Sequence, residues 1–295
     1  MTHYTHCPAC NGKDIHEVLR AKDFTVSQKI FSIWHCNTCS QRITQDVPDE
    51  KEIGVYYASD DYISHSDTKK GLINNLYHLV RQKTLGSKRR LVVRESGKKK
   101  GNILDIGCGT GAFLHTMQDG GWTTTGLEPD LNARAKALEL YKIQIEEPGK
   151  LFQLEPASFD VITLWHVLEH VHDLHGYLQQ LHKLLAPGGK LFIAVPNYTS
   201  LDAATYKECW AAYDVPRHLY HFSPASMIKL LATYKFETLS LKPMWFDSFY
   251  VSMLSEKYRN GKGNIIRACW NGFRSNIKAI FNKEKCSSLV YIISR

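Results

Sequence analysis

The stretch Ile103–Gly111, reading I-L-D-I-G-C-G-T-G, constrains the fold more than any other part of the chain. Apolar residues suited to a buried strand run into three glycines, Gly107, Gly109 and Gly111, and a second apolar stretch follows from Ala112 to Met117. Strand, glycine turn and helix in that order form the first crossover of a ligand-binding α/β sheet. Glycine admits close approach of backbone to a ligand where a Cβ would collide. Asp105 falls at the carboxyl end of the strand, where open α/β sheets bind their ligands. The spacing is G-x-G-x-G with an acid before it. A carboxylate facing the ligand suits a cationic group better than a pyrophosphate.

The next signal is Gly126-Leu127-Glu128-Pro129-Asp130. Thr123–Leu127 reads as the following strand, closed by Glu128, whose carboxylate can accept from both hydroxyls of a ribose. On these residues the chain resembles the class I S-adenosylmethionine-dependent methyltransferases, with Asp105–Gly111 similar to their first motif and Glu128 to their ribose-binding acid. The resemblance implies a Rossmann-like seven-stranded sheet. It also implies S-adenosylmethionine as cofactor, held by Asp105, Gly107, Cys108, Gly109, Gly111, Glu128, Pro129 and His166. Cys108 reads as a small residue fitting beside the glycines rather than a nucleophile.

Phe159–Leu164 has the length and composition of a buried parallel strand. In the family it is the fourth strand, and the residues after it, here Trp165-His166-Val167-Leu168-Glu169-His170, line the methyl-transfer site. L-L-A-P-G-G-K-L-F-I-A-V-P-N, ending at Asn197, is similar to the corresponding stretch of many small-molecule methyltransferases. A short strand at Ile143–Ile145, a strand at Glu237–Leu241 and a reversed edge strand at Leu289–Ile293 complete the expected sheet. Ser223-Pro224 has the form of a helix start, with serine as cap and proline at the first position.

Ahead of this domain stand Cys7-Pro-Ala-Cys10 and Cys36-Asn-Thr-Cys39. Two C-x-x-C pairs supply the four thiolates of a tetrahedral zinc site, and four thiolates leave no open position, so the site reads as structural. His6 and His35 read as neighbours of the ligands. A four-cysteine module before a Rossmann domain resembles bacterial methyltransferases that include sugar C-methyltransferases. The catalytic domain also resembles ubiquinone-type O-methyltransferases. The expected organisation is a zinc-ribbon module over 1–45, a linker and amphipathic helical cap over 46–100, and a methyltransferase domain over 101–295. In the linker, Tyr56, Tyr57, Asp60, Asp61, Tyr62 and His65 read either as an exposed connection or as a lid over the cofactor.

Eight cysteines without a secretory leader argue for metal or free thiols, and with no apolar run long enough to span a bilayer a cytoplasmic protein is expected. The formal charge of +8 resides in short runs such as Lys88–Arg94, read first as solvated faces. The sharper alternatives are anionic substrates or a phospholipid surface, which leaves peripheral membrane contact open. No nucleic-acid motif is present, and oligomeric state is not legible. Between the last two strands, Ile265, Ile266, Trp270, Phe273, Ile277, Ile280 and Phe281 recur at helical spacing with Arg267, Arg274 and Lys278 among them. The plain reading is a helix docked on its own domain, and the alternative an interfacial helix touching lipid or a partner.

Methyl transfer to a hydroxyl or carbon acid needs alignment and removal of a proton, and histidine suits proton removal near neutrality. His166, His170, His218 and His221 are the candidates, with Glu169 to orient a histidine or bind substrate. Asp214–Phe222 is a second concentration of such groups, holding Arg217, His218, Tyr220 and His221. The expected function is S-adenosylmethionine-dependent O- or C-methylation of a small or lipid-linked metabolite, a sugar or polysaccharide precursor among the options. A non-catalytic cofactor-sensing or zinc-ribbon binding protein, and a macromolecule-directed methyltransferase, are the alternatives.

Overall fold

Most short runs of branched apolar residues between turn formers become strands. The computed structural model describes residues 1–58 and 72–295. Asp60, Asp61, Tyr62 and His65 lie outside the described residues. The strands are β1 (Ile15–Lys22), β2 (Ile30–Cys36), β3 (Arg42–Thr44), β4 (Asn102–Ile106), β5 (Thr123–Leu127), β6 (Phe159–Trp165), β7 (Leu185–Pro196), β8 (Tyr220–His221), β9 (Glu237–Pro243) and β10 (Ser288–Ser294). The helices are α1 (Leu72–Ser96), α2 (Ala112–Gln118), α3 (Leu131–Tyr141), α4 (Leu174–Leu184), α5 (Leu201–Tyr206), α6 (Pro224–Thr233), α7 (Asp247–Asn260) and α8 (Ile265–Phe281). Contacts divide the chain into two units. The first comprises Met1–Ile63, Leu168–Leu174 and Ala194–Tyr291, and the second Ser64–Val167, His175–Ile193 and Ile292–Arg295.

The larger sheet has the order β5-β4-β6-β7-β10-β9. β4 runs parallel to both neighbours, placing Asp105 opposite Gly126 on β5 and Thr163 on β6. Ile103, Leu104, Val161, Ile162 and Leu164 are fully buried, each such side chain contributing about 2 kcal/mol of transfer free energy. The sheet has six strands among the described residues, where seven were expected. The segment at Ile143–Ile145 does not become a strand. Only a single bridge forms, Leu127 to Glu146, with one backbone bond on either side of it. Pro148 then opens a 3₁₀ turn, and without an amide hydrogen it cannot extend a ladder. The final strand also departs from expectation: β10 lies inside the sheet between β7 and β9, so β9 is the edge. Its burial on all but the last residue agrees with that interior place.

The first unit carries a second sheet, β1-β2-β3-β8. The N-terminal strands are thus not closed on themselves, because Arg42 and Ile43 pair with His221 and Tyr220. Gln41 Nε2 donates to the His221 carbonyl at 2.9 Å, and the Tyr198 hydroxyl donates to the Ser40 carbonyl at 2.6 Å. Phe31, Ile33, Tyr198, Tyr206, Trp210, Tyr213 and Val215 make up much of this unit's core. Helix α6 starts as expected: the Ser223 hydroxyl accepts from the Ser226 amide, Ser226 Oγ accepts from the Ser223 amide, and Pro224 fills the first position.

Helix α7 has no counterpart in the sequence reading, and α8 is attached in an unusual way. Its inward residues are Ala268, Asn271, Gly272, Ser275 and Ala279, none of them large and apolar. A Cβ on Gly272 would lie 2.8 Å from the Phe249 ring, so α8 approaches α7 closely at this point. Polar bonds make the rest of the attachment. Ser275 Oγ donates to Asp202 Oδ1 at 2.8 Å, and Asn271 Nδ2 donates to the Tyr206 hydroxyl at 2.9 Å. Asp202 also accepts from Trp210 Nε1 at 2.8 Å and from Ser287 Oγ at 2.7 Å. Replacing Asp202 with alanine strips three buried donors of their acceptor. We expect a loss of about 3–5 kcal/mol in urea-induced unfolding; a loss below about 1 kcal/mol would mean this carboxylate does not anchor the unit.

Candidate functional site

In the second unit the β4–α2 loop brings the expected cofactor residues together. Asp105 is 2% exposed, and its Oδ1 accepts from Thr163 Oγ1 at 2.5 Å, the contact that the β4–β6 register dictates. Burial pushes its carboxyl up to about 7, against the opposing effects of the Thr163 hydroxyl and Lys88. Glu128 accepts from the Gly109 amide through Oε2 at 2.8 Å and from the Asp130 amide through Oε1 at 3.0 Å. It too is raised by burial, with the amide bonds pulling the other way. Two buried carboxylates whose proton affinity is raised by burial form an electrostatic demand for positive charge or for hydroxyl donors.

The three glycines serve different ends. Gly107 (φ +69°) leaves room for Val167, whose Cγ2 a Cβ would strike. Gly111 (φ +76°) caps α2, and a Cβ there would lie 3.2 Å from Ala137. Only Gly109 (φ +56°) has nothing within 4 Å of the Cβ direction. Two of the three glycines thus clear space for the protein itself, and the direction from Gly109 alone is open. Cys108 is buried and its thiol is pushed up by burial, then by Asp105 and Glu128, so it is no nucleophile. Its sulfur faces Gly126, where a Cβ would lie 2.8 Å away. The Glu128 and Pro129 carbonyls accept from Arg134 Nη1 at 2.7 and 3.4 Å, which fixes the start of α3.

His166 follows β6 with φ at +58°, a left-handed conformation that costs a non-glycine residue about 1 kcal/mol or more. Trp165 beside it packs edge-on against Phe113 at 5.6 Å, and Lys88 Nζ sits 4.3 Å from the centre of its ring. Part of the basic run Lys88–Arg94 is thereby engaged with an aromatic face, not merely solvated. Thr163 and Lys88 were not singled out from sequence. The only signal for Thr163 is a hydroxyl within an otherwise apolar run.

In the first unit Glu169, His170 and His218 converge, their ligating atoms all within 4.8 Å of one another. The His218 imidazole donates through Nδ1 to the Ala212 carbonyl at 2.9 Å, since a carbonyl only accepts. His170 Nδ1 lies 3.0 Å from both the Arg217 carbonyl and the Tyr57 hydroxyl. Both rings are thus fixed in the tautomer that leaves Nε2 with its lone pair when neutral. The rings meet edge to face with centroids 4.5 Å apart. Burial, then His218, pushes His170 down to about 4, so it is neutral at physiological pH.

Arg217 is 1% exposed and spans this region. It donates to the Tyr56 carbonyl at 2.7 Å, to Asp23 at 3.2 Å and to Asp214 at 2.6 and 3.0 Å. It positions the loop that carries His218. His221 donates to Thr44 Oγ1 at 3.0 Å and serves the β3–β8 junction. His166 is not a member of the Glu169–His170–His218 cluster.

The four N-terminal cysteines also converge, with their sulfurs within 4.8 Å of one another. Cys7 Sγ is 3.5 Å from Cys39 Sγ, and Cys10 Sγ is 3.7 Å from Cys36 Sγ. Bonds of about 2.3 Å to a tetrahedral zinc place sulfurs about 3.8 Å apart, so the donor set fits the ion in number, chemistry and spacing. Each pair sits on a tight turn closed by Asn11 N to Cys7 O and by Ser40 N to Cys36 O, both 2.8 Å. Asn11 and Ser40 follow in the left-handed region at +58° and +61°. His6 and His35 are outside the cluster.

Residues 79–241 match the methyltransferase-domain family. A ubiquinone biosynthesis O-methyltransferase of Idiomarina loihiensis is 27% identical over 178 residues, covering 55% of this chain and 70% of that one. Against further enzymes of that name the chain spans under half their length, between 43% and 46%. Among solved structures, a putative sarcosine dimethylglycine methyltransferase from Galdieria sulphuraria superposes with a TM-score of 0.51 at 14% identity, covering 75% of this chain and 87% of that one. An S-adenosylmethionine-dependent methyltransferase from Archaeoglobus fulgidus gives 0.50 at 18% identity, covering 73% and 94%. With the family match spanning more than half of the chain, the chain belongs to the methyltransferase-domain family.

Proposed function

We propose that this protein methylates a hydroxyl or acidic carbon on a small or lipid-linked metabolite. The supporting observation is the buried pair Asp105 and Glu128 flanking the open position at Gly109. Asp105, Gly107, Cys108, Gly109, Gly111, Glu128, Pro129 and His166 form the cofactor site in this reading. When bound, S-adenosylmethionine supplies an electrophilic methyl group together with a cationic amino-acid end. Asp105 meets that positive charge as a carboxylate, and Glu128 accepts from ribose hydroxyls. The ubiquinone biosynthesis relatives favour oxygen over carbon as the atom methylated.

His218 is the proton acceptor in this reading. Its Nε2 lone pair is presented by the bond from Nδ1 to the Ala212 carbonyl, and Asp214 Oδ2, 3.9 Å from Nε2, stabilises the imidazolium that forms. His170 stays neutral and holds the edge of the His218 ring, with Glu169 completing the cluster. Zinc on Cys7, Cys10, Cys36 and Cys39 is structural and holds the β1–β3 hairpin together.

The cofactor reading makes a proton prediction. The free protein holds Asp105 protonated below about pH 7 and ionised above it. A cationic ligand favours the carboxylate, so binding at pH 6 releases up to one proton, and the release vanishes by about pH 8.5. Calorimetric titration with S-adenosylmethionine in buffers of different ionisation enthalpy reads this directly. Buffer-independent heats at pH 6, or undiminished affinity in Asp105→Asn, would remove Asp105 from the cofactor site, and no binding at all would overturn the proposal.

For the base, His218→Asn is expected to lower turnover about 10²–10⁴-fold while leaving cofactor affinity unchanged. A variant that still turns over at the wild-type rate would show that His218 is not the proton acceptor. For the metal, elemental analysis of the purified protein should give one zinc per chain. Cys36→Ser should lose it together with several degrees of thermal stability. A metal-free protein of unaltered melting temperature would count against a structural zinc.

A further inference from the structure

Helix α8 is built inside out. At about 100° per residue, its buried positions Ala268, Asn271, Gly272, Ser275 and Ala279 share one face. Ile266, Trp270, Phe273, Ile277, Ile280 and Phe281 share the opposite one. These six side chains are 39–84% exposed, with Ile266 at 81% and Phe281 at 84%. An ordinary surface helix turns its apolar stripe to the core and its polar face to water. Here the polar face is spent on Asp202, Tyr206 and Trp245, and the apolar face is left in solvent. The preceding segment repeats the pattern: Ser248, Ser252 and Ser255 of α7 point inward while Phe246, Tyr250 and Met253 are 50%, 57% and 42% exposed. The sequence reading of a helix docked on its own domain holds, but the docking face is the small polar one.

The exposed charges carried by α8 itself have one sign, and of its three cations Arg267 is paired, 3.6 Å from Glu256 Oε1 on α7. From Gly261 to Phe281 the chain holds Lys262, Arg267, Arg274 and Lys278 and no acidic residue. All four are exposed, and on α8 the three cations lie in a row along one flank of the apolar stripe, beside Trp270 and Phe281. A second copy of the chain packed twofold on this face would bring that row against itself, with Glu256 offsetting Arg267 and no acid of α8 offsetting Arg274 or Lys278. An anionic bilayer satisfies both halves of the pattern, taking the aromatic and isoleucine side chains into the headgroup–acyl boundary and the cations against phosphate.

We propose that the outer face of α8 is a membrane-docking surface that binds anionic phospholipid bilayers in the interface plane. No helix among the described residues is long and apolar enough to cross a membrane. This inference is independent of the methyl-transfer reading, because it rests only on α7 and α8.

The test is co-sedimentation of the full chain with vesicles of phosphatidylcholine alone and of phosphatidylcholine mixed with phosphatidylglycerol. Binding is expected to the mixed vesicles only, and to weaken with added salt. Arg274→Gln with Lys278→Gln should weaken it about 30-fold. Trp270→Ser with Phe273→Ser should abolish it with no fall in melting temperature, since both side chains lie outside the packed interior. Failure to sediment with the mixed vesicles would overturn the proposal. So would undiminished binding by the Trp270/Phe273 variant, or a dimer in analytical ultracentrifugation that this variant dissociates, which would assign the face to a second copy.

Discussion

A carboxylate buried at the end of a central strand sets the terms for the rest of the second unit. Asp105 sits where β4 gives way to the glycine loop, with a hydroxyl from β6 as its hydrogen-bond partner and burial holding its proton to about pH 7. Such a group is a standing cost to the folded state above that pH and none below the carboxylate's ordinary range. Sequences keep such a cost where a ligand offsets it. The surrounding architecture serves the position. The parallel register fixes Thr163 beside it, Val167 fills the space that Gly107 leaves, and the left-handed residue at His166 turns the chain away from the strand end.

The other chemical cluster is organised by backbone carbonyls. Ala212 and Arg217 each supply an acceptor to a histidine Nδ1, so the main chain decides which nitrogen of each ring remains basic. That loop is held by Arg217, whose buried guanidinium reaches Asp23, Tyr56 and Asp214. Breaking one of these contacts would leave charge uncompensated in the interior, which is why such networks behave as units. In sequence Arg217 is one member of the concentration of groups at Asp214–Phe222. In the fold it is the pin that sets the neighbouring histidine.

Much of this was legible in the sequence because it rests on local pattern. Ile103–Gly111, the two C-x-x-C pairs and the Ser223-Pro224 helix start each follow from spacing within a dozen residues. The illegible parts depend on distant partners. That Gly107 and Gly111 make way for Val167 and Ala137 cannot be read from the glycines, nor that Thr163 faces Asp105 before the strands are aligned. The strand expected at Ile143–Ile145 had the right composition, yet a proline two residues past the bridge at Glu146 stops it. Periodicity identified α8 and misled about its orientation, because a hydrophobic stripe states which residues lie together and not which way they face.

The pairing of β3 with β8 joins residues 42–43 to residues 220–221. A chain emerging from the ribosome has its cysteine hairpin complete by residue 44, yet nearly 180 more residues must follow before that sheet has its fourth strand. Through that interval the outer edge of β3 offers unpaired amides and carbonyls to any strand that meets it. Loop closure over such a separation is entropically slow, and the sheet is a late event in folding whatever the speed of its parts. The N-terminal hairpin is therefore made early and placed late, and the strand that finishes it belongs to the same loop that carries His218.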